Sequence, residues 1–286
     1  MSRIGWVTCE KMRPYSPREL PVVERLEKEG HEIVSVVWNS SEVDLKTLDW
    51  IIIRSPWDYY FHISEFKKWM EHLPEGRVFN SKKVLLWNLD KVYLKELFSQ
   101  GVAIVPTHFH FVTENSDLSV EARKINSSEV VIKPSQSASS YLTQIVKQGA
   151  RIESKEYLGK TVLIQPKIQE VLTEGEFSQI FIAGIYSHTV LKKPKTGDFR
   201  VQQSFGGSVE RVHPSASEID FGKSVIEKIP EATLYARVDY VRLAGKPHLM
   251  ELEVLEPDLF FDQSPESIGF FSDAIQHIES ITKNTV

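Results

Sequence analysis

A single cysteine, Cys9, stands in 286 residues. No intramolecular disulfide and no cysteine-based zinc site can form, and a reducing compartment is expected. Long apolar runs are missing too. None approaches the roughly 20 residues that a membrane span needs, and none follows Met1 as a signal peptide would. A cytoplasmic setting without a membrane partner is expected. Excess basic charge is also lacking: the formal net charge is -5. That leaves no electrostatic footprint for nucleic acid, so any phosphate chemistry must use local basic residues. Internal repeats, low-complexity tracts and a convincing Ser/His/Asp array are all absent. What remains is ordinary globular composition, with 41% hydrophobic and 26% charged residues. The length suffices for two or three packed subdomains without a disulfide or metal staple.

Three blocks can be drawn, 1–80, 81–190 and 191–286. In the first, Ile4–Thr8, Glu32–Val37 and Trp50–Ile53 read as strands and Pro17–Glu29 as a helix ended by Gly30. Strands alternating with helices predict a small parallel sheet. Cys9, just after the first strand, reads as a buried thiol, with a substrate-loop or catalytic role as the alternative. Trp50–Ile53 is wholly apolar, as a strand covered on both faces should be. It runs into Arg54-Ser55-Pro56-Trp57-Asp58-Tyr59, at the end of a parallel strand where open sheets place ligands. In the second block Asn88 is expected to cap a helix over 89–100. Val130–Lys133, Thr161–Ile164 and Ser178–Ala183 read as strands, the last turning at Gly184 into Ile185–Leu191. The third carries strands Ala236–Arg242 and His248–Leu255 and a helix near Ser267–Ile281.

Two groups carry chemistry. Glu251 and Glu253 are two apart in a strand and share a face, and the turn at Ala244-Gly245 can set Asp239 beside them. Three close carboxylates do not stay ionised together without a cation, and magnesium takes oxygen ligands. The plain alternative is an acidic sheet face turned to water. Lys133 ends an apolar strand ahead of the hydroxyl-rich loop Ser135–Ser140, a place for a phosphate, or else it is a solvated strand end. Lys193, Lys195 and Arg200 form a second basic group, otherwise a solvated loop. His188, beside that run, reads as a structural or lid residue rather than as a general base.

In order along the chain, Arg54–Tyr59, Trp87-Asn88-Leu89-Asp90-Lys91, Val131-Ile132-Lys133-Pro134 and Gln165-Pro166 continue into Glu174-Gly175-Glu176, Lys193–Gln202, Gly206-Gly207, Ala236–Asp239 and Met250–Glu253. This set resembles the ATP-grasp superfamily, in its glutathione-synthetase-like branch that includes the D-cycloserine-forming ligase. Around Lys133, Glu176 and Asp239 it is also similar to D-alanine–D-alanine ligase. The resemblance implies an α/β (α+β) ATP-grasp fold: an N-terminal parallel-sheet domain and two α+β subdomains clamping ATP. It assigns Lys91, Lys133 and Ser137 to ATP phosphates, Gln165, Pro166, Lys167 and Ile168 to adenine, and Glu176 to ribose. Lys193 goes to the triphosphate, Arg200 and Arg237 to the transferred phosphoryl group, and Asp239, Glu251 and Glu253 to two Mg2+ ions, for which Mn2+ can substitute. Arg54, Ser55, Trp57, Asp58, Tyr59, Gly206 and Gly207 are left for the substrate.

The implied activity is that of an ADP-forming carboxylate–amine ligase acting through an acyl phosphate on small amino-acid-like or peptide-like molecules. A homodimer is compatible with this. The rival readings are a ligase for a protein or peptide carboxylate and a nucleotide-binding protein without catalysis. Two departures stand out: relatives carry asparagine at the position of Glu253, and glycine where the loop reads Ser137-Ala138-Ser139-Ser140. A stiffer phosphate loop is expected.

Overall fold

The apolar runs of the first 80 residues form a parallel sheet. In the computed structural model, which describes residues 1–195, 200–201 and 206–283, its strands are β1 (Arg3–Thr8), β2 (Glu32–Val37), β3 (Trp50–Ser55) and β4 (Val78–Phe79). They lie in the order β2-β1-β3-β4, all parallel. Helices α1 (Leu20–Lys28) and α2 (Ile63–Glu71) lie in the connections. Every residue of β3 is buried. Trp50 and Ile52 pack with Trp6, Phe79 and Phe271 on one face, and Ile51 and Ile53 with Phe66 and Met70 on the other. Two covered faces explain why this strand reads as a run and not as an alternation.

Helices α3 (Lys82–Asn88) and α4 (Tyr93–Ser99) lead to a second, antiparallel sheet. It contains β5 (His108–Phe111), β6 (Glu129–Pro134), β7 (Gln144–Lys147) and β8 (Thr161–Pro166) in the order β5-β8-β6-β7, with the short helix α5 (Leu118–Ala122) before β6. After α6 (Gln169–Thr173) comes a third sheet, also antiparallel. Its strands are β9 (Glu176–Ile182), β10 (Ile185–Lys193), β11 (Ser208–Val212), β12 (Tyr235–Leu243) and β13 (Lys246–Glu253), ordered β11-β10-β9-β12-β13. Helix α7 (Ala216–Ile226) precedes β12, and α8 (Ser267–Lys283) closes the chain. Because β9 pairs with β10 and β12 and not with β8, we propose that the central and C-terminal units divide between β8 and β9, not near residue 190. No helix among the described residues is long and apolar enough to cross a membrane.

Two tight hairpins shape the third sheet. Ala183 and Gly184, with φ of 48° and 76°, join β9 to β10, and Ala244 and Gly245, with φ of 50° and 74°, join β12 to β13. Paired left-handed residues are the mark of a two-residue hairpin whose twist matches its strands. The expected helix over 89–100 is instead two helices. Ser81 caps α3, and Asn88 ends it rather than starting the next. Its buried carboxamide is used across space: Nδ2 donates to Leu252 O at 2.8 Å, and Oδ1 accepts from Val254 N at 2.9 Å.

Asn80 makes a similar clip between the first and third sheets. It is buried and left-handed, with φ of 59°. Its Nδ2 donates to Tyr235 O at 2.9 Å and to Val254 O at 2.7 Å, and its Oδ1 accepts from Leu234 N at 2.7 Å. Alanine would leave these groups unpaired in a dry site and would not relieve the backbone. Asn80→Ala is expected to lose about 3 kcal/mol, seen as a melting temperature lower by roughly 5–10 °C. A shift under about 1 °C would show that the clip contributes nothing.

Candidate active site

The three sheets enclose a cleft of about 1020 Å³. Its charged wall is built on the β12–β13 hairpin. Arg237 and Asp239 are two apart on β12 and share a face, and the register sets Arg237 opposite Glu253 and Asp239 opposite Glu251. One guanidinium and three carboxylates therefore meet on one patch of sheet. Arg237 holds Asp239 through Nε to Oδ1 at 2.9 Å and NH2 to Oδ2 at 2.8 Å, and reaches Glu253 Oε1 at 2.5 Å. Ser178 Oγ donates to Asp239 Oδ1 at 2.5 Å. Lys91, reaching in ahead of α4, pairs with Glu251 at 3.0 Å and donates to Ser137 O in the loop after β6.

Electrostatics differ sharply across this patch. Burial pushes the Asp239 carboxyl up, but the Arg237 guanidinium and the Lys192 ammonium outweigh it and hold the group down at about 2. Burial likewise opposes ionisation of Glu251, and Lys91 and Lys133 keep it below the usual carboxylate range. For Glu253 burial wins: with Asp239, Glu251 and Glu256 nearby, Arg237 cannot compensate, and the carboxyl is pushed up to about 8. Burial also pushes the Lys133 ammonium down, Glu251 opposes this, and Lys91 adds to it. Lys133 forms no ion pair with any described carboxylate.

Of the residues singled out from sequence, Lys91, Lys133, Ser137, Gln165, Pro166, Lys167, Ile168, Glu176, Arg200, Arg237, Asp239, Glu251 and Glu253 all line the cleft, as do Trp57, Asp58 and Tyr59. Thr196, Gly197, Asp198, Phe199 and Gln202, which flank Arg200 in the basic motif, lie outside the described residues. Gln165 is fixed by its Nε2 donating to Thr107 Oγ1 at 2.9 Å. Trp57 Nε1 donates to Glu256 O at 3.2 Å, and Asp58 accepts from Trp38 Nε1 at 2.7 Å.

Five residues do not reach the cleft. Arg54 is completely buried, gripped by Glu19 at 2.8 and 3.0 Å and donating to Pro257 O. Ser55 is buried against Thr8, with Oγ atoms 2.9 Å apart. These two sit beneath the floor of the cleft, because β3 is covered on both faces to its end. Gly207 is a packing position, where a Cβ would lie 2.3 Å from Val201 O, and Gly206 is an exposed turn residue with φ of 85°. Lys193 points out of the cleft to Glu210, with 48% of its side chain exposed.

The residue that faces in is Lys192, 8% exposed, which pairs with Glu176 at 2.5 Å and lies 3.4 Å from Asp239. Because strand side chains alternate, a one-residue difference moves a lysine to the other face. The alternation in Ile185–Lys193 was the available signal, weakened by the register shift between Tyr186 and His188. His188 is buried outside the cleft, where burial and Arg211 push its imidazole down to about 4, in keeping with a structural role. Ser139 and Ser140 in the loop after β6 adopt φ of 51° and 57°, so serine takes up a left-handed backbone that glycine would adopt freely.

Residues 4–80 match the family described as D-cycloserine synthetase DcsG, N-terminal domain. A curated relative, cycloserine biosynthesis protein DcsG of Streptomyces lavendulae, is 26% identical over 278 residues, covering 89% of this chain and 91% of its own length. The crystal structure of D-cycloserine synthetase DcsG superposes with a TM-score of 0.85 at 24% identity, covering 96% of this chain and 99% of that one. D-alanine–D-alanine ligase from Bacillus anthracis superposes with a TM-score of 0.65 at 16% identity, covering 100% and 98%. The chain has the ATP-grasp fold.

The facing of the two adjacent lysines can be tested directly. Lys192→Met is expected to weaken MgATP binding by at least about tenfold, more than 1.4 kcal/mol, whereas Lys193→Met should stay within about twofold. Calorimetric titration of both variants, with circular dichroism confirming folding, decides this. The reverse ranking would place Lys193 at the nucleotide.

Proposed function

We propose that the chain is an ADP-forming carboxylate–amine ligase that activates a small amino-acid-like carboxylate as its acyl phosphate. The observation that carries this is a surplus of both signs in one buried cleft. Lys133 closes no ion pair with a described carboxylate, and the Glu253 carboxyl is pushed up to about 8. A polyanion would satisfy the cation, and divalent cations would satisfy the carboxylates. MgATP supplies both. The oxygens of Asp239, Glu251 and Glu253 suit a hard ion, and two such ions would neutralise charge on the triphosphate.

The protein's own work follows from where its groups lie. Lys91, Lys133, Lys192 and the Ser137 loop bind the phosphates. Gln165 to Ile168 form the strand end against which adenine is placed, and Glu176 takes the ribose. Lys192 and Lys91 are already paired with carboxylates, so they can pass to phosphate as divalent ions take over those carboxylates. Arg237 is fixed by Asp239 and Glu253, and Arg200 lines the same cleft. Both are placed to steady the moving phosphoryl group, where catalysis by positioning and charge is sufficient.

The substrate carboxylate attacks the γ-phosphate, ADP leaves, and an amine displaces phosphate from the acyl carbon. Trp57, Asp58 and Tyr59 line the region assigned to the substrate. The relative that matches along 89% of the chain carries the name of a cycloserine biosynthesis protein, which favours an amino-acid derivative over a protein carboxylate.

Hydroxylamine tests this. With MgATP and a panel of amino acids and their O-substituted serine derivatives, an acyl phosphate is trapped as a hydroxamate alongside ADP. The expected result is matched hydroxamate and ADP for at least one substrate. Arg200→Lys should then cut turnover by about a hundredfold or more, roughly 3 kcal/mol in the transition state, while leaving ATP affinity nearly unchanged. ADP release without hydroxamate would exclude acyl activation. Loss of ATP affinity with turnover retained would make Arg200 a nucleotide ligand instead.

A further inference from the structure

Away from the cleft, the outer strand of the central sheet carries His108 and His110. They are two apart on β5 and project from the same face. Glu121 of α5 meets them. His108 Nε2 lies 2.6 Å and His110 Nδ1 3.3 Å from one oxygen, Glu121 Oε2. Among the described residues this is the group of three His, Cys, Asp or Glu side chains whose ligand atoms all lie within 4.8 Å of one another. The acids of the β12–β13 hairpin, each already holding a protein cation, do not form such a group.

We infer that His108, His110 and Glu121 form a binding site for a divalent transition metal of the zinc class, with a fourth position left for water. Two imidazoles and a carboxylate are a recurrent three-ligand set for zinc, and imidazole selects such ions over magnesium. Ligands about 2.0–2.1 Å from a tetrahedral ion stand about 3.3 Å from one another. The His110–Glu121 separation already has that value, and the shorter His108–Glu121 contact opens by about 0.7 Å on a small turn of the carboxylate.

Two further contacts support the assignment. His110 Nε2 lies 2.8 Å from Ser116 Oγ, the kind of outer contact that orients a metal-bound ring. Lys124 Nζ lies 2.6 Å from the same Glu121 oxygen, on a side chain that is 54% exposed. A cation is thus already drawn to this point, and one on a long exposed side chain is readily displaced. A bound ion would fasten α5 to the outer strand. That strand pairs with β8, His108 facing Ile164, one residue before the Gln165 end of the cleft.

The test is calorimetric titration of the full chain with ZnCl2 in metal-free, non-chelating buffer, with MgCl2 as control. Wild type is expected to bind one more zinc equivalent than the double variant His108→Ala/His110→Ala, and to gain melting temperature with zinc that the variant does not gain. Two further variants keep all three ligands, so they remain informative if the double variant misfolds. Ser116→Ala should weaken zinc binding by about tenfold, and Lys124→Ala should tighten it by removing the competing ammonium. Equal zinc stoichiometry in wild type and double variant, or zinc affinity indifferent to both Ser116→Ala and Lys124→Ala, overturns the site.

Discussion

Asp239 is buried between the Arg237 guanidinium and the Lys192 ammonium, and the charged cleft is arranged around that contact. The β12–β13 register brings Glu251 and Glu253 onto the same patch of sheet. Arg237 serves Asp239 through two nitrogens and Glu253 through one. Cation contact decides which carboxylates stay ionised. Asp239, with two cations and a serine hydroxyl, is held down at about 2, whereas Glu253, sharing one cation among acidic neighbours, is pushed up to about 8. An isolated buried charge is strongly unfavourable, so these groups persist only as a set. On the proposed function, such a set exchanges partners when a charged ligand arrives.

The same accounting separates binding groups from scaffold. Arg54 and Arg237 are both buried arginines beside carboxylates. Arg54 is enclosed by Glu19, Pro257 O and the ring of Tyr235, 4.7 Å away, and has no face toward the cleft. Arg237 lines the cleft and shares Asp239 with Lys192. The Arg54–Glu19 pair secures the base on which the Trp57–Tyr59 segment rests. Asn80 and Asn88 secure the third sheet to the chain before it by pairing backbone groups at the ends of β12 and β13.

Much of this was legible in the sequence. The unbroken apolar run Trp50–Ile53 announced a strand buried on both faces. The spacing of Asp239, Glu251 and Glu253 across an Ala-Gly turn announced a hairpin with acids on one face. The ordered motifs announced the fold. Legibility failed where tertiary contact overrides local signal. Asn88 has the residue type of a helix cap, but its side chain is claimed by Leu252 and Val254 across the fold. Arg54 ends a strand where ligands often bind, yet Glu19, 35 residues earlier, takes its guanidinium. Lys192 and Lys193 differ only in which face of β10 they occupy, which composition does not encode.

On the proposed function, the paired charges of the cleft separate to receive a nucleotide and divalent ions. A crystal structure of the chain with a non-hydrolysable ATP analogue and Mn2+ tests it most directly, because anomalous scattering locates the manganese. The expected result is manganese coordinated by oxygens of Asp239, Glu251 and Glu253, the triphosphate on Lys133, and Lys91 moved from Glu251 to phosphate. Manganese absent from those carboxylates, or an analogue bound with the Lys91–Glu251 and Lys192–Asp239 contacts intact, would contradict it.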